Sequence, residues 1–191
     1  MQPVEIKAAK AVLRGKVASL RNDYKKAFAP PNDESSQPAP FPIAMYVMSA
    51  LDLLSSCEAG WNFGGGNQTD RMVDYLVDHF HYDRISSVVA VTSFRHQLMH
   101  TSEPRLIKDT NTNDMYYWKL ADTSNRHMQL DRNQTIQGYS DVVGINFGIE
   151  QFTDDFERAT EDYLSRMEQD TQLQDNYVAV REEIKIKELP L

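Results

Sequence analysis

Arg95, His96 and His100 are the residues whose types and spacing could do chemistry together. A histidine gains and loses a proton near neutral pH, so it can serve as acid or base. An arginine stays charged and offers a planar fork of donors to a phosphate or carboxylate. His96 and His100 are four residues apart, which puts them on one face of a helix. Arg95 and His100 are five apart, about 140° around the same helix. They do not stack, so they meet only if the arginine wraps around or if the two come from different copies of the chain.

Two other readings of the same residues compete. Arginine and histidine near a helix C-terminus interact well with its carbonyls and dipole. On that reading His96 and His100 are a capping pair, and Arg95 an ion-pair partner for Glu103 or Asp83. His-x3-His also has metal-ligand spacing, and Glu58, Asp74 or Asp78 could complete a site, with His81 one turn earlier. No third ligand has a compelling position and no His-Glu-x-x-His pattern occurs, so neither metal nor cofactor is expected. Gly64-Gly65-Gly66 lacks the Lys-Ser/Thr of a phosphate loop and reads as a turn. Cys57 lies in an apolar run and reads as core. Tyr116-Tyr117-Trp118 could stack bases, but alternation along a strand turns part of any such run into the core.

The elements around the cluster are mostly helical. Leu13, Val17, Leu20, Tyr24 and Phe28 mark one face of a helix within residues 1–29, stopped by Pro30-Pro31. Residues 30–42 have loop composition. From Ile43 to Ala59 apolar residues point in nearly every direction, the pattern of a central helix. Thr69 or Asp70 caps a helix to Phe80 with Met72, Tyr75, Leu76 and Phe80 inward. Asp83 caps the next, Arg84–Thr101, which carries the cluster and is closed by Pro104. Residues 105–131 hold short β-prone runs between turn-rich stretches, predicting a small antiparallel hairpin or three-stranded sheet. The helical period returns from about Val143 to 188 and slips near Asp170, predicting one broken helix or two.

In that setting, Arg95-His96 followed by His100 resembles the Arg-x4-6-His motif of HEPN domains, in which a polar residue such as His96 follows the arginine. The run Phe94-Arg95-His96-Gln97-Leu98-Met99-His100 also resembles an aromatic-Arg-His-x-Leu-x-His string of bacterial proteins of this broad kind. The likeness covers about Ile43 to Pro104 and leaves the hairpin and the C-terminal helices unexplained. It implies a HEPN-like helical bundle, mostly α, that forms a homodimer with the two motifs facing a shared cleft. It implies a metal-independent endoribonuclease, or a non-catalytic interaction or scaffold protein of the same fold. On the first reading His100 is the acid/base, Arg95 meets the charge growing on the phosphate, and His96 orients the pair or contacts phosphate. Glu58 and Ser55 or Ser56 would orient Arg95 from behind. RNA, a second copy or another protein are the partners this implies.

The bulk numbers set bounds. A chain of 191 residues with 41% hydrophobic and 25% charged residues suits one folded domain. One cysteine excludes an internal disulfide and suits a reducing, cytoplasmic setting. Lys7, Lys10, Arg14 and Lys16 interrupt any signal-type apolar core, and no apolar run is long enough to span a membrane. The net charge of −8 argues against broad nucleic-acid binding. It is unevenly spread: residues 1–29 carry seven bases against two acids, and residues 150–191 twelve acids against five bases. Packing of the first helix against the acidic end is the plainer explanation, and contact with a polyanion the alternative.

Overall fold

The computed structural model describes residues 3–27, 40–60, 68–93, 106–121, 126–136 and 138–183. Among them, helices α1 (Pro3–Ala27), α2 (Pro40–Ala59), α3 (Gln68–Phe80) and α4 (Arg84–Val91) precede strands β1 (Ile107–Lys108), β2 (Met115–Ala121), β3 (Leu130–Ile136) and β4 (Tyr139–Gly148). Helices α5 (Ile149–Met167) and α6 (Thr171–Glu183) follow. The fold is mostly helical with a small mixed sheet.

The all-round apolar helix is central, as its pattern predicts: α2 packs against α1, α3, α5 and α6. Ala44, Val47, Leu51, Leu54 and Cys57 on it are fully buried, and each large side chain so buried contributes about 1.5–3 kcal/mol. Pro40 and Pro42 fall in its first turn, where no backbone N–H has an intrahelical partner to lose. α1 buries Ala9, Leu13, Val17 and Leu20, and Tyr24 packs at the edge of the same core. Phe28 lies outside the described residues. α3 turns Met72, Tyr75, Leu76 and Phe80 inward, with Val73. Asp83 caps α4, its Oδ1 accepting from the Ser86 N–H at 2.9 Å.

The C-terminal period slip is a real break. α5 stops at Met167, and Asp170 starts α6 by accepting the N–H groups of Gln172 (2.8 Å) and Leu173 (3.2 Å).

Besides residues 40–42, which start α2 instead of closing the expected loop, two expectations are corrected. The region after residue 105 is not an antiparallel hairpin ending at 131. It is a four-stranded sheet, in the order β1-β2-β4-β3, whose central pair is parallel. Residues 143–148 are not helical either; they complete β4, and helix begins at Ile149. The physical reason is tertiary. Val142, Val143 and Ile145 are β-branched, and β4 lies between two partners, so nearly continuous apolar character satisfies a central strand as well as a helix.

Alternation divides β2 as expected. Tyr116 and Trp118 join Val143, Ile145 and Phe147 in the core, while Tyr117 stays outside it. On that outer face the Lys119 ammonium donates to Gln134 Oε1 at 3.0 Å. The sheet edges are poor templates for further pairing: β1 has two residues, and β3 changes register twice.

Because β2 and β3 flank β4, the connection between them crosses the end of β4. Residues 126–129 of that crossing lie beside Gly148, the residue at which β4 becomes α5.

Candidate functional site

Arg95, His96 and His100 lie outside the described residues. What is described is the element that leads to them. α4 packs on α3, β2 and β4. At Thr92 the backbone is still helical (φ −64°, ψ −45°), and its N–H is shared between the carbonyls of Val88 and Val89. Ser93 is buried, and its hydroxyl has no hydrogen-bond partner among the described residues. The outward side of α4 borders a groove of about 590 Å³ with Ile85, Val88 and Ile107 on its walls and Arg84 and Lys108 at its rim. Ile85 and Val88 are 44% and 41% exposed.

Glu58 and Ser55, expected behind Arg95, have partners of their own. The Glu58 oxygens accept from Nη1 and Nη2 of Arg166 at 2.7 and 2.8 Å, and Asp162 accepts from the Arg166 Nε at 2.9 Å. His79 Nε2 stands 3.8 Å from Glu58, its ring against that of Tyr75 with centroids 4.4 Å apart. Hydrogen bonding to Glu58 raises the Arg166 pKa, with burial acting against it. Ser55 and Ser56 are buried, and both hydroxyls donate to the Asp52 carbonyl, at 3.0 and 2.7 Å. The Asp52 carboxylate takes Arg71 and Gln68. Asp74 pairs with Arg84 at 2.8 Å. Among the described residues no group of three His, Cys, Asp or Glu side chains could hold a metal. The Cys57 thiol is buried and its pKa is pushed up to about 12 by burial, so it has core rather than nucleophile character.

The charge asymmetry resolves into contacts between helices. α1 runs antiparallel to α5, and Lys10 pairs with Glu168, Arg14 with Glu161, and Arg21 with Glu157 and Asp154. Three of the seven N-terminal bases thereby face acids of the C-terminal region.

A second polar centre escaped the sequence reading. The His127 ring is nine-tenths buried and edge-on to Tyr82 and Phe147. The Gly148 backbone N–H donates to its Nδ1 at 2.9 Å. A backbone amide can only donate, so Nδ1 is the bare nitrogen and the ring proton sits on Nε2. Nε2 lies 2.8 Å from the Tyr82 hydroxyl, which accepts that proton and donates its own to Asp155. Asp155 ends the chain at the surface, its other oxygen 2.6 Å from Arg158. Burial holds the His127 pKa down at about 4, against the pull of Asp155. Burial and Asp155 together push the Tyr82 phenol upward.

Both segments that supply this pair carry left-handed backbone next to it, at His81 (φ 60°) and Met128 (φ 57°). Such residues cost on the order of 1 kcal/mol or more each and persist where surrounding contacts fix them. Tyr82, His127 and Asp155 come from three elements far apart in the chain, so no spacing could have shown them. With both ring nitrogens engaged, His127 has none left to face a substrate, and the arrangement ties elements together.

No protein-family model, curated protein or solved structure matches the chain. Among the described residues no helix is long and apolar enough to cross a membrane.

Proposed function

We propose that the chain is a HEPN-like helical protein of the cytoplasm that cleaves RNA without a metal. Arg95, His96 and His100 act in a cleft between two copies. The observation that carries this reading is the position of α4. A short helix held between α3 and the sheet brings the chain, still helical at Thr92, to within three residues of Arg95. Several described groups of suitable type are held by the fold: Glu58 by Arg166, Asp52 by Arg71, and both nitrogens of His127 by Gly148 and Tyr82. In the proposed reaction His100 takes the 2′-OH proton as that oxygen bonds to phosphorus, the P–O5′ bond breaks, and the proton held by His100 passes to the leaving oxygen, while Arg95 meets the charge on the phosphate.

The test is RNA cleavage by the purified chain with EDTA present. Arg95→Ala and His100→Ala should each abolish cleavage with helical content and melting temperature unchanged. A wild-type chain that cleaves no RNA would sink the proposal, and activity lost to EDTA together with bound zinc would point to a metal site instead.

The second reading is a non-catalytic interaction or scaffold protein of the same fold. The exposed pair Ile85 and Val88 favours it, since a binding groove needs apolar walls. It predicts no cleavage, and loss of a protein partner on Val88→Asp.

A further inference from the structure

We propose that His127 is an acid-operated clamp, which in its neutral form fastens the β2–β3 crossing to the starts of α4 and α5 and which releases them on protonation. Three sets of contacts converge on residues 127 and 128. The Gly148 N–H at the head of α5 donates to His127 Nδ1. Tyr82, next to the α4 cap Asp83, accepts from Nε2. The Met128 carbonyl accepts from Ser86 Oγ of α4 at 3.0 Å, while the Met128 N–H donates to the Asn146 carbonyl at 2.7 Å. One turn of chain therefore holds two helix starts and a strand.

A second proton on His127 can go only to Nδ1. It would remove the acceptor of the Gly148 N–H and set two donors against each other at the positive end of the α5 dipole. The groups around the ring do little to soften this. From α5, Asp155 Oδ2 stands 3.9 Å from Nε2 and raises the ring's basicity, but it also accepts from Tyr82 and is shared with Arg158, and it lies on the side of the ring away from Nδ1. From the α3–α4 link comes the neutral Tyr82, and from β4 and α5 the apolar Phe147 and Phe152. On the crossing itself Arg126 lies against Asp131 at 3.4 Å. At the start of α4, Asp83 is taken by Ser86 and Arg84 by Asp74.

The sign follows from linkage. The closed ring titrates at about 4 and a freed one at the ordinary 6.5, so the open form binds more protons between those values. The clamp is fastened well above the ordinary histidine range and loosens by up to tenfold per pH unit as the pH falls toward about 4.

Amide exchange on the full chain, read by NMR from pH 7 to 3.5, tests this. The protection factor of Gly148 should fall along that curve and stay below that of Leu51 in α2, because the junction opens before the bundle. In His127→Gln the slope between pH 6.5 and 4 should largely vanish. The same slope in His127→Gln would overturn the proposal, as would equal protection of Gly148 and Leu51. Should that variant fail to fold, the ring ¹⁵N shifts of the wild type decide. A bare Nδ1 and a protonated Nε2 at pH 7 support the clamp, and the opposite tautomer refutes it.

Discussion

The two oxygens of Glu58 face the two terminal nitrogens of Arg166 at 2.7 and 2.8 Å, joining the end of α2 to α5 by a two-pronged ion pair. Parallel charge-assisted bonds of this kind exceed a single surface contact, although Arg166 remains 35% exposed and water screens it in part. Arg166→Ala and Glu58→Gln should each lower unfolding free energy by about 1–2 kcal/mol. In urea titrations the double variant should lose clearly less than the sum of the two.

The ladder between α1 and α5 is prominent yet weak. Arg21 is one-third exposed, and pairs in such positions are worth at most about 1 kcal/mol. Leu20, beside it and fully buried, should cost about 2–5 kcal/mol when cut to alanine. Thermal melts in low and high salt should separate the two: the Arg21→Ala deficit shrinks with salt and the Leu20→Ala deficit persists.

Neighbouring aromatics on β2 should behave oppositely. Trp118 is 2% exposed within the core, and Trp118→Ala should cost about 3–5 kcal/mol. Tyr117 lies off the core, and Tyr117→Ala should stay within about 1 kcal/mol. Equal losses in chemical denaturation would contradict the strand's facing.

Glycines give a matched pair. Gly60 has φ +76°, and a Cβ there would stand 2.9 Å from Asn176 Oδ1. The same Asn176 amide donates to the Glu58 carbonyl at 2.8 Å, so the intruding methyl would loosen α6 from α2. Gly60→Ala should destabilise by about 1–3 kcal/mol. Gly15, mid-helix with open space around it, should gain about 0.5–1 kcal/mol as alanine. Melting temperatures moving in opposite directions would establish both.

The helices were legible because their causes are local. Asp83 caps α4, the period slips at Asp170, α2 is apolar all round and central, and the charge asymmetry foretold α1 against α5, whereas Thr69 and Asp70, expected to cap α3, lie inside it because it begins at Gln68. The sheet was legible only in part. Tyr116 and Trp118 announce a strand facing the core, but nothing local distinguishes Val143–Phe147 in a doubly flanked strand from the start of an apolar helix. The orienting role expected of Glu58 could not be weighed from sequence, because its partner Arg166 lies 108 residues away. His127 was invisible as a site for the same reason: its surroundings are made by a crossing that exists only once the sheet is built.

That crossing also bears on the order in which the molecule comes together. β3 and β4 adjoin through a tight turn at Gly138 and can pair early at small entropic cost. Tyr116 and Val143, partners across β2 and β4, are 27 positions apart (143 − 116) and must find each other over a longer loop. Until they do, Trp118 has no core to enter and no crossing passes Gly148 to accept its amide. Within the sheet, closure of the parallel pair should therefore follow pairing of β3 with β4, and a chain held before that step should show Trp118 exposed.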